Sequence, residues 1–213
     1  MSKSDSHNKE NDAQITPDPE TGRAAILKFA EWLSQLSGSE LVEWNRLPDI
    51  GLYMDQVLTL MDRQLAFYKR ADEDRLLTQP MINNYTKDGL LPRASDKKYT
   101  QGHLALLSVL CSLKPVLSIS DLSALLKNTQ IDADEKKIYE LFLEAQSDSI
   151  VSVRKDLTPE IESLMQTVSG DGASADTYKR ELALMALRTA VEARVRIMMT
   201  QKILDLIAEQ DKK

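Results

Sequence analysis

Between Gln79 and Lys98 the chain sets out Gln79, Asn83, Asn84 and Lys87, then Arg93, Lys97 and Lys98. Asn and Gln carboxamides can pair bidentately with adenine in the major groove, while lysine and arginine neutralise phosphates. Four such residues on one helix, followed by a basic loop, are chemistry for reading duplex DNA. Each good base contact discriminates by about 1–3 kcal/mol, so two or three per half-site need doubling by two-fold symmetry to be useful.

The elements around these residues are legible. Thr78 is placed to cap a helix, and Pro80 sits in its first turn, where a missing N–H costs nothing. At about 100° per residue Met81, Ile82 and Tyr85 share one side, and Gln79, Asn83, Thr86 and Lys87 fall on another. Asp88-Gly89 stops the helix, since glycine takes φ > 0 freely. Leu90, Leu91 and Pro92 then leave in extended form, and Arg93 to Lys98 make a basic loop ending at Tyr99.

The following helix, capped by Thr100 and running to about Leu113, is apolar nearly all round, as a buried central helix is. Cys111 lies in it and reads as core. His103 stands in its first turn with no second His or Cys at ligand spacing, so no metal site is expected. Pro115 ends the helix, and Ser118-Ile119-Ser120-Asp121 has the form of a capping box for a helix with Leu122, Leu125 and Leu126 inward.

Before this block, residues 1–20 read as a polar, disordered tail. A helix is expected from about Gly22 to Leu36, a short one around Glu40–Trp44, and another over Tyr53–Phe67 with Met54, Val57, Leu58, Met61 and Leu65 inward. The mixed-charge run Lys69–Arg75 reads as a solvated connector. After the block, Asp132 with Glu135 would cap a helix through Ile138, Leu141 and Phe142. Ile150–Val153 reads as a small strand or an extended link, Thr158-Pro159-Glu160 as a fresh helix start, and Ser169–Gly172 as a flexible link. The last helix, about Ala175–Glu209, carries an apolar seam through Leu184, Leu187, Val191, Val195, Met198 and Ile203, widened by Met199, Leu206 and Ile207. At about 1.5 Å per residue it would reach roughly 50 Å, longer than a small domain is wide. It packs either on a second copy of the chain or back on its own chain.

Composition bounds the function. The 213 residues are 42% hydrophobic with seven Gly and seven Pro, favouring helices around an aliphatic core. The net charge of −6 argues against a protein that coats nucleic acid but not against a local basic patch. One cysteine excludes an internal disulfide and points to a reducing cytoplasm. No apolar run approaches the ~18 residues of a membrane span. There is no glycine-rich phosphate loop, Ser/Cys–His constellation or convincing carboxylate pair, so an enzyme is not expected, nor a cofactor. Met165, Met185, Met198 and Met199 would line an effector pocket among the C-terminal helices, or simply fill core.

Two nested resemblances follow from these residues. Tyr85-Thr86-Lys87-Asp88-Gly89-Leu90-Leu91-Pro92, then Tyr99-Thr100, a leucine-rich helix and Ser118-Ile119-Ser120-Asp121-Leu122, resembles the winged helix-turn-helix of MerR-type regulators. With Leu52-Tyr53-Met54-Asp55-Gln56-Val57 and Met81-Ile82-Asn83-Asn84-Tyr85, residues 45–130 resemble an uncharacterised bacterial family, mainly from Firmicutes, of unknown function. Asn83 stands where MerR proteins carry a phosphate-binding arginine, the wing is short, and the metal-binding cysteines are absent, so neither DNA distortion nor metal sensing is implied.

The expected fold is mainly α. A tail (1–20) precedes a helical lead-in and MerR-like winged helix-turn-helix (21–130), then a helical, oligomerising C-terminal region with one long terminal helix (131–213). The expected function is a cytoplasmic, homodimeric, sequence-specific regulator binding double-stranded DNA, with Gln79, Asn83, Asn84 and Lys87 in the groove and Arg93, Lys97 and Lys98 on phosphates. The alternative is a non-enzymatic protein-interaction module on the same scaffold.

Overall fold

The computed structural model describes residues 19–36, 41–129, 134–168 and 175–210. The described residues are mainly helical: α1 (Pro19–Gln35), α2 (Met54–Gln64), α3 (Gln79–Lys87), α4 (Gln101–Leu113), α5 (Ile119–Thr129), α6 (Glu135–Val168) and α7 (Ala175–Gln210). They contain two isolated β-bridges and no strand.

Two apolar cores organise these helices. The larger surrounds α4, in which every residue from His103 to Cys111 is buried. Val57, Met61 and Leu65 come to it from the α2 side, Ile82 and Tyr85 from α3, Leu122 and Leu126 from α5, and Ile138 and Tyr139 from α6. Leu204 of α7 reaches the same core. The smaller core joins Ile26 and Leu33 of α1 to Ile161 and Leu164 of α6 and to Tyr178 and Met185 of α7. Gly22 lets α1 come close to α7 here, because the Tyr178 ring occupies the place a Cβ would need.

Local chemistry sets the ends of α3, α4 and α5. Thr78 Oγ1 accepts the Met81 N–H, capping α3. At the other end Gly89 adopts φ +73°. The Leu90 N–H donates to the Tyr85 carbonyl and the Gly89 N–H to that of Thr86, the paired bonds of a Schellman motif. His103 Nδ1 accepts the Thr100 N–H at 3.1 Å, so the first-turn histidine serves the α4 cap. Ser118 and Asp121 exchange backbone-to-side-chain bonds at the start of α5, the expected capping box.

Several expectations need correcting. Ile150–Val153 is neither strand nor extended link but lies inside α6, the 34-residue helix, where packing against α4 and α1 overrides β-propensity. Pro159 does not begin a helix; it also lies inside α6. A proline there removes one backbone bond and crowds the carbonyl four residues back. The Thr158 hydroxyl bonds the Arg154 carbonyl one turn earlier, and Ile161 and Leu164 hold the following turns in the smaller core. The helix expected over Tyr53–Phe67 stops at Gln64, with Ala66–Tyr68 in a 3₁₀ turn. The short helix expected around Glu40–Trp44 is instead a 3₁₀ turn at Trp44–Arg46, with Glu40 outside the described residues. Asp134 accepts the Lys136 N–H in the first turn of α6; Asp132, most of the N-terminal tail and the Ser169–Gly172 link lie outside the described residues.

The connector 69–75 is tied down. Lys69 pairs with Asp62 at 2.9 Å, and one Asp74 oxygen accepts the backbone N–H groups of Arg70 and Ala71. Those backbone bonds hold the Asp74 carboxyl below its ordinary range, and the Lys69 bond does the same for Asp62. All these groups are near the surface, so the ties shape the connector more than they stabilise the fold.

Candidate nucleic-acid interface

The nine residues of α3 divide into two faces. Ile82 and Tyr85 are buried and Met81 is partly buried, fixing the helix to the larger core. Gln79, Asn83, Asn84 and Lys87 are all exposed. Gln79, Asn83 and Lys87 follow at four-residue steps, each about 40° on from the last, so they form one gently turning stripe with Asn84 beside it. None of these four side chains hydrogen-bonds or ion-pairs with another described residue.

Tyr85 is the main anchor of that helix. It is 1% exposed, and its ring lies 6.0 Å from the Lys114 ammonium. Its hydroxyl is buried with no partner among the described residues. Desolvation, with a smaller contribution from Cys111, pushes its pKa up to about 12. Burial likewise raises the Cys111 thiol to about 12, so it stays protonated and unreactive at neutral pH.

From Gly89 the chain returns through Leu90 and Leu91, both buried, to the basic loop. This loop closes on itself through a bond from the Lys98 N–H to the Ser95 carbonyl at 2.8 Å. Asp96 and Lys97 between them have φ of 50° and 61°, the two positive values of a type I′ hairpin turn. Its base is pinned where Leu52 and Tyr99 exchange both backbone bonds, at 2.9 and 2.8 Å. Among the described residues the loop is thus a tight turn with single bridges and no paired strands.

The three cations of this loop are presented differently. Arg93 and Lys97 are exposed without a partner among the described residues. Lys98 is folded back: its stem lies against Gly51, and its ammonium stands 5.8 Å from the centre of the Tyr53 ring. Tyr53, half exposed, and Ile50, 66% exposed, therefore flank the loop base. Sequence reasoning missed both, because Gly51-Leu52-Tyr53 has no periodicity that marks an exposed aromatic. The bridge to Tyr99 brings them there.

His103 supports the same joint. Its ring meets Tyr99 edge-on at 5.4 Å, and its pKa is lowered by burial, against smaller opposing effects from the Pro92 and Arg93 backbone and Glu135. The neutral ring suits its role, since a protonated Nδ1 could not accept the Thr100 N–H.

Away from α3, an apolar groove of about 560 Å³ runs between α1, α6 and α7, bordered by Phe29, Trp32, Leu157, Leu182 and Met185. Of the four methionines considered for an effector pocket, Met185 borders this groove and Met165 packs at the smaller core. Met198 and Met199 are exposed on α7. Among the described residues no three His, Cys, Asp or Glu side chains cluster to hold a metal, and no helix is long and apolar enough to cross a membrane.

Residues 42–143 match the family model described as Domain of unknown function (DUF1836). The matched segment begins beside the Trp44 turn and ends on α6, so it contains α2 to α5, the basic turn and most of the larger core. It excludes α1, α7 and the smaller core. No curated protein and no solved structure matches the chain.

Proposed function

We propose that the chain is a sequence-specific, DNA-binding transcription regulator of the MerR-like winged helix-turn-helix kind, non-enzymatic, cytoplasmic and acting as a homodimer. The observation that carries this reading is the two-faced α3, capped at both ends and held in the core by Ile82 and Tyr85. A helix so fixed loses little entropy on binding, and its free face offers carboxamides and a lysine. In this reading Gln79, Asn83 and Asn84 contact base edges, and Lys87, Arg93, Lys97 and Lys98 contact phosphates. The tight I′ turn serves as a minimal wing.

The test is a pull-down of genomic fragments by the purified full chain at ~150 mM salt, with sequencing of what is retained. Enrichment of a palindromic site is expected. Retention only at low salt without sequence preference, or none, rejects the reading.

A second reading has one observation in its favour. Ile50 and Tyr53 expose apolar surface beside the turn, which would serve a protein partner better than a phosphate backbone. Crosslinking through a photoreactive residue at position 50 to one defined protein, with no DNA retention, would select the interaction module.

A further inference from the structure

Helix α7 has two apolar faces, and its own chain covers one of them. Tyr178 and Met185 bury in the smaller core and Leu204 in the larger. The stretch between these anchors is open. Leu184, Leu187, Val191, Val195 and Met198 are 41–61% exposed. They fall within about 80° of arc, whose centre is turned about 120° from Met185 and about 140° from Leu204. Met199, Ile203 and Leu206 are 47–61% exposed and widen the stripe to about 160° of arc toward the C-terminal end of the helix. Single exposed leucines are ordinary, but a continuous stripe of eight large apolar side chains marks an interface.

The order of residues in the stripe indicates what covers it. Reflected about Val195, six of the seven other apolar positions superimpose: 184 falls on 206, 187 on 203, and 191 on 199, while Met198 falls on Glu192. Two copies of α7 laid antiparallel, with a two-fold axis at Val195, therefore bring Leu184 against the partner's Leu206 and Val191 beside the partner's Met199, with Leu187 and Ile203 on the two flanks of the seam. A face that matches itself under a two-fold is what an isologous dimer requires. The exposed parts of these side chains amount to roughly 700 Å² per chain, close to the ~800 Å² per partner of a stable interface.

We infer that a second copy of this chain covers the open face of α7, in an antiparallel pair centred on Val195. This deepens the dimeric part of the proposed function and rests on it, but needs no DNA. Val195 is half exposed, so replacing it leaves both cores of the single chain untouched.

The experiment has two arms, with helicity checked by circular dichroism for every variant. Light scattering on the full chain should give twice 24.0 kDa, and Val195→Glu or Leu187→Glu should return the mass to 24.0 kDa with helicity retained. In a Cys111→Ala background, Leu184→Cys mixed with Leu206→Cys should be joined by a short bis-maleimide, whereas Leu184→Cys alone should not. A wild-type monomer overturns both this inference and the dimeric reading. A dimer that survives both glutamate substitutions overturns the α7 interface alone. Crosslinking of Leu184→Cys to itself overturns the antiparallel arrangement.

Discussion

Replacing Tyr85 by phenylalanine should stabilise the protein, against the usual direction of a core substitution. The side chain is 1% exposed, and its hydroxyl has no described partner. A buried polar group without a hydrogen bond costs about 1–3 kcal/mol. Phenylalanine removes that cost and leaves a void of roughly 10 Å³, worth only about 0.2 kcal/mol at ~24 cal/mol per Å³. The ring remains, with its contacts to the larger core and its place 6.0 Å from the Lys114 ammonium. The net gain should be about 1–2 kcal/mol, which at about 2–4 °C per kcal/mol for a chain of this size raises Tm by several degrees. Thermal melts followed by circular dichroism at 222 nm would measure it. Since Tyr85 faces away from the polar stripe of α3, any DNA retention should be unchanged. A fall in Tm of 2 °C or more would show that the hydroxyl makes a stabilising bond, and the account of how α3 is anchored would be wrong.

Two further outcomes follow from the same site. Lys97→Ala with Lys98→Ala removes four cations from a dimer, so the slope of log affinity against log salt should become shallower by up to ~3.6, with weaker binding at every salt; an unchanged slope between 50 and 200 mM removes the turn from the interface. For His103, burial lowers the folded pKa beneath its ordinary 6.5, so the unfolded chain binds the proton more readily. The stability this histidine contributes is therefore fully present above about pH 6.5 and is lost as pH falls through the folded value. His103→Gln keeps a capping-box acceptor and should flatten that dependence; urea unfolding at pH 7.0 and 5.5 compares the two chains, and equal slopes in both would remove His103 as its source.

Short-range chemistry made the centre of the chain legible. Thr78, Asp88-Gly89, Thr100 and Ser118–Asp121 act within a turn of themselves, and the elements they bound fall where residue type places them. The inward residues of α2, α3 and α5 were legible for a related reason: periodicity separates a buried face from a solvated one without knowledge of the partner. Reading failed where a local signal met a distant one. Pro159 and the β-branched run at 150–153 argue for a break, yet α6 packs along α4 and then α1, and that contact continues the helix through both. The Lys69 tie of the 69–75 connector depends on Asp62, which no pattern within the connector shows.

The candidate site divides in the same way. The types and spacing of Gln79, Asn83, Asn84, Lys87, Arg93, Lys97 and Lys98 are properties of the sequence, and once α3 forms, its polar stripe follows from 3.6 residues per turn. Which cations stand free is a tertiary matter. The Leu52–Tyr99 bridge brings Tyr53 under Lys98, and only this folds one lysine back while leaving its neighbour Lys97 in solvent. The apolar seam of α7 was visible in the sequence, but periodicity cannot tell a face buried in its own chain from one left open. That depends on where α1, α5 and α6 stop along α7, and they meet it on the side away from Val195.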